Sequence, residues 1–122
     1  MLTIIETEKT PSVRFNSKTG VLDISGKSLT ENAFEFYKPL LEKIKEYINA
    51  PSEQTTVNIT FEYFNTASSK SMMDLILAFE HLQKENKLTI NWFCESDNDD
   101  MFEVAEDFKD KTKMSINIIP VD

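Results

Sequence analysis

Asn65, Thr66, Ser68, Ser69 and Lys70 bring a carboxamide, three hydroxyls and an ammonium into one short stretch of the chain. They follow an alternating apolar run and precede residues at helical spacing. The stretch therefore sits at a strand-to-helix junction, where free backbone N–H groups and the helix dipole favour an anion. Two readings suit such residues. Thr66, Ser68 or Ser69 can simply cap the helix, as hydroxyls at such places usually do. Alternatively, one hydroxyl is a phosphorylation target, which would add about −1.5 to −2 charge at neutral pH. The dipole would offset that charge by roughly 0.3 to 1 kcal/mol, so the domain need not unfold. A nucleotide site is disfavoured, because no glycines accompany Lys70 and a Walker loop needs them to wrap phosphates.

Glu95, Asp97, Asp99 and Asp100 could ligate a hard cation. An EF-hand loop starting at Asp97, however, would need Gly where Phe102 stands and Glu where Phe108 stands. The plainer expectation is a solvated loop or acidic docking edge, with Asp99, Asp100 and Glu103 favouring the start of the following helix. His81 has no Cys, Ser or second His at relay spacing. Cys94 ends an apolar strand and reads as a small packed residue. With no acid, base and nucleophile constellation, neither catalysis nor a cofactor or metal is expected.

The elements that must position these residues follow from periodicity. Val13 to Phe15 and Val21 to Ile24 predict a hairpin, with Gly20 taking a positive φ at its turn and Ser25, Gly26 and Lys27 ending its second strand. Thr30, Glu31 and Asn32 suit a helix start, with Thr30 as the cap. Ala33, Phe36, Tyr37, Leu40, Leu41, Ile44, Tyr47 and Ile48 then keep one apolar face. Pro39 predicts a kink or division of that helix near Tyr37. Val57, Ile59, Phe61 and Tyr63 alternate with Asn58, Thr60 and Glu62, which predicts a strand with one polar face. Met72, Leu75, Ile76, Phe79 and Leu82 predict a second helix, and Leu88, Ile90 and Trp92 a strand. Met101, Val104, Ala105 and Phe108 predict a third helix, and Met114, Ile116 and Ile118 a last strand. Repeated strand–helix–strand units with right-handed crossovers imply an α/β fold: a mixed, largely parallel five-stranded sheet with three main helices.

Charge and length narrow the partners. The chain has 122 residues, enough for one domain spanning 1–122 with a sizeable core. Its 13 Lys and Arg against 21 Asp and Glu give a net charge of −8. That balance argues against nucleic acid and anionic membranes, which call for a basic face. A protein surface is the expected partner. A single cysteine excludes a disulfide framework and fits a reducing compartment. With no signal-peptide pattern or membrane-length apolar run, a cytoplasmic location is expected.

Several segments in order carry a family likeness: Thr10-Pro11-Ser12-Val13-Arg14-Phe15, Gly20-Val21-Leu22-Asp23-Ile24-Ser25-Gly26-Lys27-Ser28, Glu31-Asn32-Ala33, Phe36-Tyr37-Lys38-Pro39-Leu40 and Tyr63-Phe64-Asn65-Thr66-Ala67-Ser68-Ser69-Lys70-Ser71. With Asn91-Trp92 and the acidic stretch from Asp97 to Met101, the chain resembles the SiaC family of bacterial regulatory phosphoproteins. The resemblance implies a fold like the STAS domains of anti-sigma-factor antagonists and a non-enzymatic switch. It implies phosphorylation of Thr66 by a dedicated serine/threonine kinase and removal of the phosphate by a type 2C protein phosphatase. It also implies that the unmodified form binds and activates an effector such as a diguanylate cyclase. Because a phosphate inside an interface must be desolvated or paired, the expected contact surface is Asn65, Ser68, Ser69, Lys70 and nearby faces of the second helix. Ala67 stands where Ser is usual, which leaves Thr66 as the target. The competing expectations are an antagonist that sequesters an anti-sigma factor, and a small acidic metal-dependent enzyme.

Overall fold

The structure, a computed structural model, describes every residue from Met1 to Asp122. Six strands form one sheet in sequence order: β1 (Leu2–Ile4), β2 (Ser12–Asn16), β3 (Val21–Ser28), β4 (Thr55–Phe64), β5 (Leu88–Glu95) and β6 (Asn117–Val121). β1, β2 and β3 pair antiparallel, and β3 to β6 pair parallel. The helices are α1 (Ala33–Ile48), α2 (Thr66–Leu77), the short α3 (Glu80–Lys84) and α4 (Asp99–Thr112). Each parallel crossover steps in the same direction along the sheet, so right-handed connections carry every helix to one face.

That face holds the core. Val13, Phe15, Leu22, Ile24, Val57, Ile59, Ile90 and Trp92 point into it and are buried, each two positions from the next inward residue on its strand, as the pleat requires. Trp92 lies among Phe61, Phe64 and Phe108, with ring centroids 5.2 to 6.5 Å away. The opposite face is polar. Across it runs a side-chain ladder: Asn58 Nδ2 donates to Asp23 Oδ1 at 2.9 Å, Asn91 to Asn58 at 3.0 Å and Asn117 to Asn91 at 3.1 Å.

The sheet's edges are blunt. β1 has only three residues. On β6, Val121 O accepts from Ser96 N at 2.7 Å, so residue 121 faces the interior of the sheet. Because successive residues of a strand point their N–H and C=O groups to alternate sides, Pro120 turns its donor-less nitrogen to the open edge.

Several expectations need correcting. The sheet has six strands, because β1 is too short to show a period. α1 runs unbroken from Ala33 to Ile48 through Pro39. Glu35, whose carbonyl loses its partner to the proline, is exposed, so water can satisfy that group. α1 is entered at Asn32, which makes no side-chain cap, and Thr30 instead accepts from Asn32 N at 3.1 Å. The second helix divides into α2 and α3 around the fully buried Phe79, where Phe79 N→Ile76 O at 3.1 Å and Leu82 N→Phe79 O at 3.0 Å tighten the chain. The last strand begins at Asn117, with Met114 and Ile116 buried ahead of it. Gly20 does take a positive φ, of 73°. β3 continues past Gly26 to Ser28, and a register shift between Gly26 and Lys27 leaves Glu62 as an extra residue on β4. Across that bulge Phe61 and Phe64, three apart, both turn inward, and Tyr63 turns out, 54% exposed.

Candidate functional site

The bulge delivers β4 into Asn65, whose backbone N–H donates to Ser28 O at 3.0 Å. Asn65 takes the extended conformation of a cap, with φ −86° and ψ 175°. Its Oδ1 accepts from Ser68 N at 2.9 Å, and its Nδ2 donates to Thr30 O at 3.1 Å. The cap of α2 is thus the carboxamide, and none of the hydroxyls has that role.

The three hydroxyls separate by direction. Ser68 is fully buried, and its Oγ donates to Ser28 O at 3.1 Å. Ser28 Oγ lies 2.7 Å from both Ser68 Oγ and Tyr37 Oη. One assignment satisfies all three groups: Tyr37 donates to Ser28, Ser28 to Ser68, and Ser68 to the Ser28 carbonyl. Burial pushes the Tyr37 phenol up to about 12, against a smaller lowering by Ser28, so it stays a donor at any ordinary pH. This relay ties the first turn of α2 to β3 and α1. Ser69 is half-buried, whereas Thr66 is exposed at the first helical position.

The electrostatics favour a phosphate at Thr66. The first turn of α2 contains no acid, and the amides of Thr66 and Ala67 precede any intrahelical acceptor. Lys70 reaches Asp74 only at 4.0 Å, with its side chain 84% exposed. A phosphate on Thr66 would meet unpaired N–H groups and the positive end of the dipole.

The other candidates lie elsewhere. Glu95, Asp97, Asp99 and Asp100 spread from the end of β5 into the first turn of α4, and no three His, Cys, Asp or Glu side chains are grouped to hold a metal ion. His81 is exposed on α3, 3.5 Å from Glu85. Cys94 is fully buried in the core, and burial raises its thiol pKa, which makes it a poor nucleophile. Sequence reasoning missed Ser28 and the polar role of Tyr37, although a tyrosine on an apolar helix face signals a hydroxyl in need of a buried partner. It also missed Phe34, off the apolar stripe of α1 and 62% exposed near Ala67.

Residues 4–121 match the SiaC family regulatory phosphoprotein. The chain belongs to the SiaC family. An uncharacterized protein of Pseudomonas aeruginosa (strain UCBPP-PA14) is 24% identical over 105 residues, covering 85% of this chain and 83% of its own. The fold matches SiaC in the crystal structure of the diguanylate cyclase SiaD with its activator SiaC from Pseudomonas aeruginosa, at TM-score 0.90 and 23% identity, over 99% of this chain and 100% of that one. Apo-SiaC from the same organism matches at TM-score 0.83 and 23% identity, over 97% of each chain. As a SiaC family member the chain is a regulatory phosphoprotein, and no helix in it is long and apolar enough to cross a membrane.

Proposed function

We propose that this protein is a non-enzymatic, cytoplasmic partner switch. Its unmodified form binds and activates an effector, a diguanylate cyclase by analogy with the complex of SiaC and SiaD, and phosphorylation of Thr66 releases that effector. A cognate serine/threonine kinase adds the phosphate and a type 2C phosphatase removes it. The observation that carries the reading is the exposed hydroxyl of Thr66 at an acid-free helix start, beside a Ser68 that is buried and bonded. A neutral threonine can lie inside an interface, whereas a phosphate there must be desolvated or paired.

Mass spectrometry of the protein from its native cells tests the modification. One phosphate located on Thr66, and absent from Thr66→Ala, is expected. Phosphate confined to Ser69, or none under any growth condition, would overturn the assignment.

A further inference from the structure

Thr66, Lys70 and Asp74 follow one another at four-residue spacing on α2, which sets them in one row along the helix. Lys70 reaches down that row toward Asp74, with Nζ 4.0 Å from Oδ2 and side chains 84% and 55% exposed. Other lysines with a partner at this spacing come closer. Lys84 lies 3.4 Å from Glu80, and Lys111 lies 3.0 Å from Asp107. The order of the residues accounts for the difference. In both closer pairs the acid stands four positions before the lysine, and side chains tilted toward the helix N-terminus carry the ammonium back over it. Lys70 instead precedes its acid and must lean against that tilt. The favoured position, four residues before Lys70, is held by Thr66, which in its unmodified form offers no charge.

We propose that phosphorylation of Thr66 draws Lys70 away from Asp74, making Lys70 the counter-ion of the phosphate and leaving the Asp74 carboxylate unpaired. A phosphate brings about −2 charge against the single charge of Asp74, and it stands on the better side of the lysine. Nothing packs against the Lys70 side chain to resist the swing. Glu31 is the other charged group in the depression lined by Ala67, Lys70 and Asp74, and its like charge gives the phosphate no rival partner. The inference rests on the partner-switch reading and describes how the new charge is felt beyond Thr66.

The open groove between α1 and α2 is where it is felt. Its lining balances Lys38, Lys45 and Lys70 against Glu31, Glu42 and Asp74. Once the phosphate takes up Lys70, two lysines face three carboxylates. Modification at the first residue of α2 thereby changes the charge of the groove as far as Asp74, roughly 12 Å along the helix at the usual rise.

The test uses the full-length chain with phosphothreonine installed at position 66 during translation. Its outcome is therefore independent of whether native cells modify Thr66, which mass spectrometry of the native protein answers. Phosphorus NMR follows the second ionisation of the phosphate, which falls at about pH 6 in the absence of partners. Lys70→Gln is expected to raise that midpoint by about 0.3 pH unit, and Lys70→Arg to restore it, with the difference shrinking as salt rises. Asp74→Asn is expected to leave the midpoint where it is at physiological salt, because Lys70 has already left Asp74 and charges two turns apart are largely screened. Both side chains are exposed, so unchanged melting temperatures are expected for these variants. Equal midpoints with and without the Lys70 ammonium, or a midpoint lowered by Asp74→Asn, would mean that Lys70 stays with Asp74 in the modified protein. Either result would overturn the exchange and leave Thr66 standing as the modified residue.

Discussion

α2 and α4 begin almost identically. Each follows a parallel strand and is capped by asparagine: Asn65 accepts from Ser68 N at 2.9 Å, and Asn98 from Met101 N at 3.2 Å. Each carboxamide also ties its helix to a neighbouring carbonyl, Thr30 O at 3.1 Å for Asn65 and Glu62 O at 3.2 Å for Asn98. The next two residues differ. After Asn98 come Asp99 and Asp100, which already supply negative charge to the dipole, whereas after Asn65 come Thr66 and Ala67, which supply none. The same cap therefore serves two ends: a start neutralised by its own sequence, and one whose dipole no neighbouring acid offsets.

The largest effect expected from this contrast is on binding. Thr66→Glu should weaken the effector complex about a hundredfold, equivalent to about 2.7 kcal/mol, in a calorimetric titration. Asp99→Ser on α4 should leave the affinity unchanged. Equal losses from both variants would erase the distinction between the two helix starts.

Next comes the buried relay, which only α2 has. Tyr37 titrates near 12 in the folded protein against an ordinary 10.0. The folded state thus holds the phenolic proton more tightly, and that contribution to stability is complete below pH 10 and is lost as pH rises through 12. Urea unfolding should show about 2 to 3 kcal/mol lost across that window. Tyr37→Phe, with no proton to release, should lack this limb of the pH profile, and a limb of equal size in the variant would assign it to other groups.

The smallest effect is on the caps themselves. Asn65→Ala and Asn98→Ala should each lower unfolding stability by about 1 kcal/mol in urea titrations. Only Asn65→Ala should also slow modification of Thr66, because it frees the turn that presents the hydroxyl.

Long periods made most of the architecture legible. Val57, Ile59 and Phe61, the apolar face of α1, and the stripe from Met101 to Phe108 each repeat often enough to fix an element and its buried face. Short or broken periods did not. β1 offers too few residues to alternate, and the bulge opposite Gly26 reverses the inward direction between Phe61 and Phe64, so Tyr63 is turned outward against its apparent pattern. The site was legible as a stretch, and Thr66 stood out through family likeness. The roles within it were not legible, because whether a hydroxyl in a first helical turn meets water or protein depends on what packs there. For Ser68 that is Ser28, forty residues away in the chain.

Pro120 has a consequence for life between partners. A switch that lets go of its effector must exist as a free pool, and free proteins with exposed strand edges recruit one another into growing ribbons. Here one margin of the sheet is three residues long and the other turns a proline nitrogen outward. Molecules without a partner can therefore accumulate without templating their own precipitation.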